Sequence, residues 1–163
     1  MKRTLFIIAG ILLLLILMSK KLSDASKLAI MNIKQNFHDY VSYVAARYGV
    51  PSARIEAIMM QESKGDASAK GITGDWGLMQ ITGPALADVN AKYHFGYSLQ
   101  DMLDPYKNIQ TGTAFLSLLL AQLHNLNDAT QAYNVGASAF LADNSRGSGY
   151  LQNVLEWEKY FLH

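Results

Sequence analysis

Glu62 stands where the local sequence pattern calls for an apolar side chain. Ile55, Ile58 and Met59 form an apolar helical stripe, and the next position on it is this glutamate. Glu56 on the same segment lies about 240° away round the helix axis, so it is expected to face mostly away from the core. Partial burial and the negative end of the helix dipole both favour the neutral form of Glu62. A carboxylic acid that stays protonated near neutral pH is what a glycosidic oxygen needs from a general acid. The competing reading is a glutamate that frays into solvent at the end of its helix.

Glycosidases that work with two carboxylates need a partner for that acid, about 5 Å away in retaining enzymes and farther off in inverting ones. Asp66 and Asp75 are the acidic candidates in the adjoining Gly-rich loop, where aspartate is commonly a turn former. That leaves one acid and no identified nucleophile. His38, His94, His124 and His163 have no ligand spacing, so neither a metal site nor a cofactor is expected. Members of a Ser-His-Asp triad are available, but no G-x-S-x-G signature accompanies them. Trp76, Tyr93, Phe95, Tyr97, Tyr133 and Tyr150 fall in or beside loops and helix ends. Their rings could stack on a sugar face or simply join the core. The amides of Gln80 and Asn134 suit hydroxyl and acetamido groups. These patterns by themselves lead no further than a sugar-like ligand.

The elements that must hold these groups read as helices. From Leu28 onward, Ile30, Ile33, Phe37, Val41, Val44 and Tyr48 recur every three or four residues, and Gly49 with Pro51 ends the pattern. A second helix begins near Pro51 or Ser52 and carries Glu62. Between Glu62 and Gln80, four glycines among Ser, Asp and Thr predict a long loop, with room for a small hairpin at residues 71–76. Ser98 and Asp101 could cap one short turn, and Asp104-Pro105 starts a long helix through Ile109, Phe115 and Leu116. Residues 116–123 are apolar nearly all round and are expected to be the most buried stretch. Shorter helices are expected at residues 129–134 and 137–142, and a last one at residues 150–161 with Leu151, Val154, Leu155 and Trp157 inward. The expected fold is mainly α, without an internal repeat.

The 163 residues are 50% hydrophobic and 17% charged, which fits one folded domain. The absence of cysteine excludes a disulfide scaffold, a thiol nucleophile and lipid attachment through cysteine. Formal charge is +1, from 14 basic against 13 acidic residues. Four of the basic ones, Lys2, Arg3, Lys20 and Lys21, lie in the first 21 residues, so the remainder carries 10 against 13, a net of −3. Nothing in that balance points to nucleic acid. Residues 5–18 are an uncharged hydrophobic run, short for a membrane span and long enough for a signal peptide. The lysines directly after it favour an uncleaved anchor, and Ser23-Asp24-Ala25 offers the alternative of cleavage near Ala25. The chain therefore divides into a membrane or signal segment at 1–21, a connecting helix start at 22–39 and a main domain at 40–163.

Five short motifs recur in order: Glu62-Ser63; Gly77-Leu78-Met79-Gln80-Ile81; Asp104-Pro105 with Asn108-Ile109, Gly112 and Phe115-Leu116; Ala132-Tyr133-Asn134-Val135-Gly136; and Tyr150 with Val154. Together they resemble the catalytic domain of soluble-type lytic transglycosylases, lysozyme-like enzymes that cut peptidoglycan, over roughly residues 40–161. The resemblance implies a lysozyme-like helical domain with a Gly-rich active-site loop, preceded by one N-terminal hydrophobic helix. It makes Glu62 the sole catalytic acid and base, and Ser63 a neighbour that orients the sugar or the acid. Gly77 and Leu78 correspond to a tight backbone passage lining the cleft, and Met79 and Gln80 to wall residues contacting an acetamido sugar. Tyr133 and Asn134 would position the scissile sugar, with Tyr150 near the acid. The missing nucleophile is then explained, because in this family the substrate's own acetamido group and C6 hydroxyl do that work and leave a 1,6-anhydro end. Implied partners are peptidoglycan strands and, through residues 5–18, a membrane, with the domain on the extracytoplasmic side or in an envelope-spanning or virion assembly. A lysozyme-type hydrolase and a non-catalytic tethered glycan binder are the alternatives.

Overall fold

Helices and their caps account for most of the molecule. The structure, a computed structural model, describes residues 22–162. The hydrophobic run at 5–18, with the expected N-terminal hydrophobic helix, and His163 lie outside the described residues. Among the described residues no helix is long and apolar enough to cross a membrane. Seven α-helices and one 3₁₀ segment are present there: α1 (Asp24–Tyr48), α2 (Ser52–Ser63), α3 (Gly83–Tyr93), the 3₁₀ segment Leu99–Leu103, α4 (Pro105–Leu123), α5 (Leu126–Val135), α6 (Ala137–Ala142) and α7 (Ser148–Glu158). The described residues form no strand, only isolated antiparallel bridges joining Trp76 to Lys70 and to Ile81.

α1 starts earlier than its apolar pattern, because Ser23 caps it by accepting from the Ser26 amide. It ends at Gly49, whose φ of 68° allows the left-handed cap. The helix runs unbroken past residue 40, and Ile30 and Ile33 share the core with Val41 and Val44. Residues 22–39 are thus integral to the domain's packing.

α2 is the central element. It packs against α1 on one side and α7 on another, so its buried residues run continuously from Ala53 to Met60. Glu56 therefore does not face away from the core: it is fully buried, with Oε1 2.8 Å from His38 Nδ1. Arg54 is equally enclosed and grips both carboxylate oxygens of Glu158 at 3.1 and 2.9 Å, besides Thr130 and Asn127. The expectation that residues 116–123 would be the most buried stretch is also corrected. In α4 the buried residues are concentrated at 108–116, while Leu118, Leu120 and Leu123 are only partly covered. Leu118 and Leu119 line a cleft, which is where their apolar surface goes.

α3 has no counterpart in the sequence expectations. Thr82 caps it, Pro84 occupies its first turn, and Ala85, Leu86 and Val89 bury one narrow side. Farther on, Ser98 and Asp101 form the expected capping box, and the Asp104 carboxylate accepts from the Tyr106 and Lys107 amides to start α4. α7 buries only Val154 fully; Leu151, Leu155 and Trp157 are half-buried.

Candidate active site

The end of α2 and the turn at Gly77 to Gln80 are built as one unit. Lys64 adopts a left-handed cap at φ 58°, which turns the chain away from the helix just after Glu62 and Ser63. The Ser63 hydroxyl donates to the Leu78 carbonyl at 2.8 Å and accepts from the Gly65 amide at 3.2 Å, joining the helix end to the turn. Trp76 and Ile81 exchange backbone hydrogen bonds of 3.1 and 2.9 Å across that turn. Gly77 has φ 77°, and an added Cβ would overlap Met102 O and the Asn108 amide. Only glycine fits there.

Asn108, one turn into α4, is the clamp. Its side chain accepts from the Met79 amide at 2.8 Å and donates to the carbonyls of Trp76 and Met102 at 2.7 and 2.9 Å. All of this occurs at a fully buried position, so every bond replaces one otherwise made to water. In the sequence Asn108 is marked only by its place in a motif, as a polar residue beside Ile109 on an apolar stripe.

The turn's side chains divide by direction. Leu78 and Met79 are fully buried, and Met79 fills the space over Gly112, where a Cβ would overlap its sulfur. Their side chains are thus part of the core. What they offer is backbone. Gln80, at φ 47°, does face the cleft, with its amide nitrogen tied to the Gly77 carbonyl at 2.7 Å.

Glu62 is half-buried and accepts a hydrogen bond of 2.5 Å from the Tyr150 hydroxyl on α7. Burial pushes its carboxyl up to about 7, opposed by the Tyr150 hydrogen bond and reinforced by the charge of Asp75. Burial also raises the hydroxyls of Tyr133 and Tyr150 well above the ordinary tyrosine value, with the Glu62 charge adding to it. Both therefore stay neutral donors. Tyr133 donates to the Met79 carbonyl at 2.9 Å and leans on Phe115, ring centroids 5.5 Å apart.

A cleft of about 730 Å³ runs beside this group, lined by Gln80, Ile81, Asp88, Phe115, Leu118, Tyr133 and exposed Asn134, among others. Glu62 and Tyr150 are not on its walls; Tyr133 links the two regions. A larger hollow of about 890 Å³ lies between α1 and Tyr106, but it holds none of the acid's partners. The other candidates go elsewhere. Tyr93, Phe95 and Tyr97 pack on one another and on Tyr48 with centroids 5.2 to 5.6 Å apart, and Tyr97 bonds Gln110. Asp66 closes a local turn with Ser68, which holds its carboxyl below the usual range. Among the described residues no group of three His, Cys, Asp or Glu side chains could hold a metal ion.

A helical domain that places one half-buried carboxyl at a helix end, beside a cleft of aromatic and amide groups, is of the lysozyme-like class. The family model "Transglycosylase SLT domain" matches residues 39–153, and the chain belongs to that family. It is 29% identical over 138 residues to membrane-bound lytic murein transglycosylase E of Buchnera aphidicola, covering 78% of this chain and 62% of that one. It is 31% identical over 147 residues to membrane-bound lytic murein transglycosylase C of Pectobacterium atrosepticum, covering 79% and 41%. Among solved structures, an inactive mutant of the lytic transglycosylase Slt from Pseudomonas aeruginosa superposes with a TM-score of 0.70 at 26% identity, covering 77% and 24%. The chain thus spans less than two thirds of the length of these relatives.

Proposed function

We propose that this protein is a peptidoglycan lytic transglycosylase that cleaves the β-1,4 bond between N-acetylmuramic acid and N-acetylglucosamine and leaves 1,6-anhydro-muramic ends. The observation that carries this is the Glu62 carboxyl, raised to about 7 by burial and oriented by Tyr150. Family membership and the relatives' names supply the substrate class.

In the first step Glu62 gives its proton to the glycosidic oxygen as the C1–O bond breaks, with the substrate's acetamido oxygen supporting C1. The carboxylate left behind then takes the proton of the C6 hydroxyl as that oxygen bonds to C1. One group serves as acid and then base, and no water enters. Tyr150 holds the carboxyl in one orientation, Gln80 and Asn134 are the amides that meet the sugar, and Tyr133 sets the wall between cleft and acid. Ser63 and the Gly77-Leu78-Met79 backbone fix where that acid stands relative to the cleft.

The domain acts on the extracytoplasmic side, held by residues 5–18 as an anchor, with release by cleavage near Ala25 as the alternative. Since α1 is continuous, the catalytic unit takes in residues 22–39 as well as those from 40 onward. Glu62→Gln tests the assignment: it keeps an acceptor for Tyr150 but has no proton to give. Clearing of purified peptidoglycan should fall at least a hundredfold with an unchanged circular dichroism spectrum. A variant as active as the parent would refute it.

A further inference from the structure

The cleft beside Tyr133 carries a charge that an uncharged sugar does not call for. Among the described residues that line it, Asp88 is the one charged side chain. It belongs to α3 and is exposed. The neighbouring elements do not neutralise it: α4 brings Gln122 to the same cleft and α5 brings Asn134, and neither carries a charge. Lys92, one turn farther along α3, makes no ion pair with it; the ion pairs among the described residues all lie elsewhere. Phe115, Leu118 and Leu119 give the cleft apolar walls, and apolar walls concentrate the field of a single charge on whatever part of a ligand enters.

This cleft is tied to the surroundings of the acid. Gln80 and Tyr133 stand on its wall, and Tyr133 donates to the Met79 carbonyl in the turn that Ser63 joins to the end of α2. A glycan strand with its scissile bond at Glu62 therefore lays neighbouring sugars and their substituents in the cleft. The sugar rings are neutral, whereas the peptide stems on muramic residues carry carboxylates and a side-chain ammonium. Cross-linking turns that ammonium into an uncharged amide. An anion in the cleft repels the carboxylates, attracts the ammonium and gains nothing from the amide.

We infer that Asp88 is a specificity-determining residue: its carboxylate reads the free ammonium of a peptide stem lying in the cleft, so that strands with uncrosslinked stems are preferred. The inference rests on the cleft receiving a glycan strand cut at Glu62. It assigns Asp88 a part in selection and none in the chemical step.

The test compares two soluble substrates, glycan strands with free-amine peptide stems and the same strands with those amines acetylated. The full-length parent should favour the free amine by about threefold or more in kcat/KM, mainly through KM, and the preference should shrink as salt is raised. In Asp88→Asn, a surface change on a helix that the fold accommodates, the ratio should fall to about one, while Asp88→Glu keeps most of it. Asp39→Asn removes the same charge from an exposed position on α1 outside the cleft and should retain the parent's ratio. A parent without preference, an undiminished ratio in Asp88→Asn, or an equal fall in Asp39→Asn overturns the role of Asp88, and cleavage of both substrates leaves the activity standing. Failure to cleave either substrate, or an active Glu62→Gln, overturns the activity and the inference with it.

Discussion

At Glu62, burial and hydrogen bonding pull in opposite directions, and burial wins. The carboxyl is pushed up to about 7 although Tyr150 donates to it. Because the proposed first step uses the protonated form, kcat/KM should be flat below about pH 7 and fall about tenfold per unit above it. Stability follows the same proton. A carboxyl whose folded pKa is raised favours the fold below its unfolded value, and that contribution is lost as pH rises through 7. Glu62→Gln should therefore melt higher than the parent at pH 8, with the gap closing toward pH 5. Equal melting temperatures at both pH values would contradict the burial of this acid. Glu62 was legible from sequence because it interrupts an apolar stripe. Glu56 was not, because a periodicity count assumes one buried face and α2 packs against both α1 and α7. Leu78 and Met79 show a related limit of sequence patterns, since both side chains are buried while their carbonyls accept from Ser63 and Tyr133. A motif says that a residue belongs to a site without saying whether its side chain or its backbone does.

At the scale of elements, α2 is fixed by charges that its apolar pattern does not reveal. Arg54 reaches across to Glu158 on α7 and to Asn127 and Thr130 on α5, tying three helices together. Arg54→Ala would leave Glu158, only 15% exposed, without its partner. The expected loss is about 3 kcal/mol in urea unfolding, a large part of a domain's stability. A loss below about 1 kcal/mol would mean that the network contributes little. Helix starts were readable wherever a cap stood beside a periodic run, as at Ser98 and Asp104. α3 was hidden because it directly follows a glycine-rich turn and buries only Ala85, Leu86 and Val89. Residues 116–123 deceived in the other direction, since a cleft wall is as apolar as a core.

For the whole molecule, the division of charge remains the guide to its setting. A basic, hydrophobic first 21 residues precede a remainder of net −3, whose described part contains no spanning helix. Removing residues 1–21 should leave the melting temperature within a degree or two and move the protein from the membrane fraction to the soluble one. Continued sedimentation with membranes would show that another surface attaches it. Whether the C6 hydroxyl completes the proposed reaction at C1 is read most directly from the masses of the released muropeptides. Digestion of purified peptidoglycan by the full-length protein should yield muramic ends one water lighter than hydrolysed ends, and none with Glu62→Gln. Products carrying only reducing ends would show that water, not the C6 hydroxyl, completes the reaction.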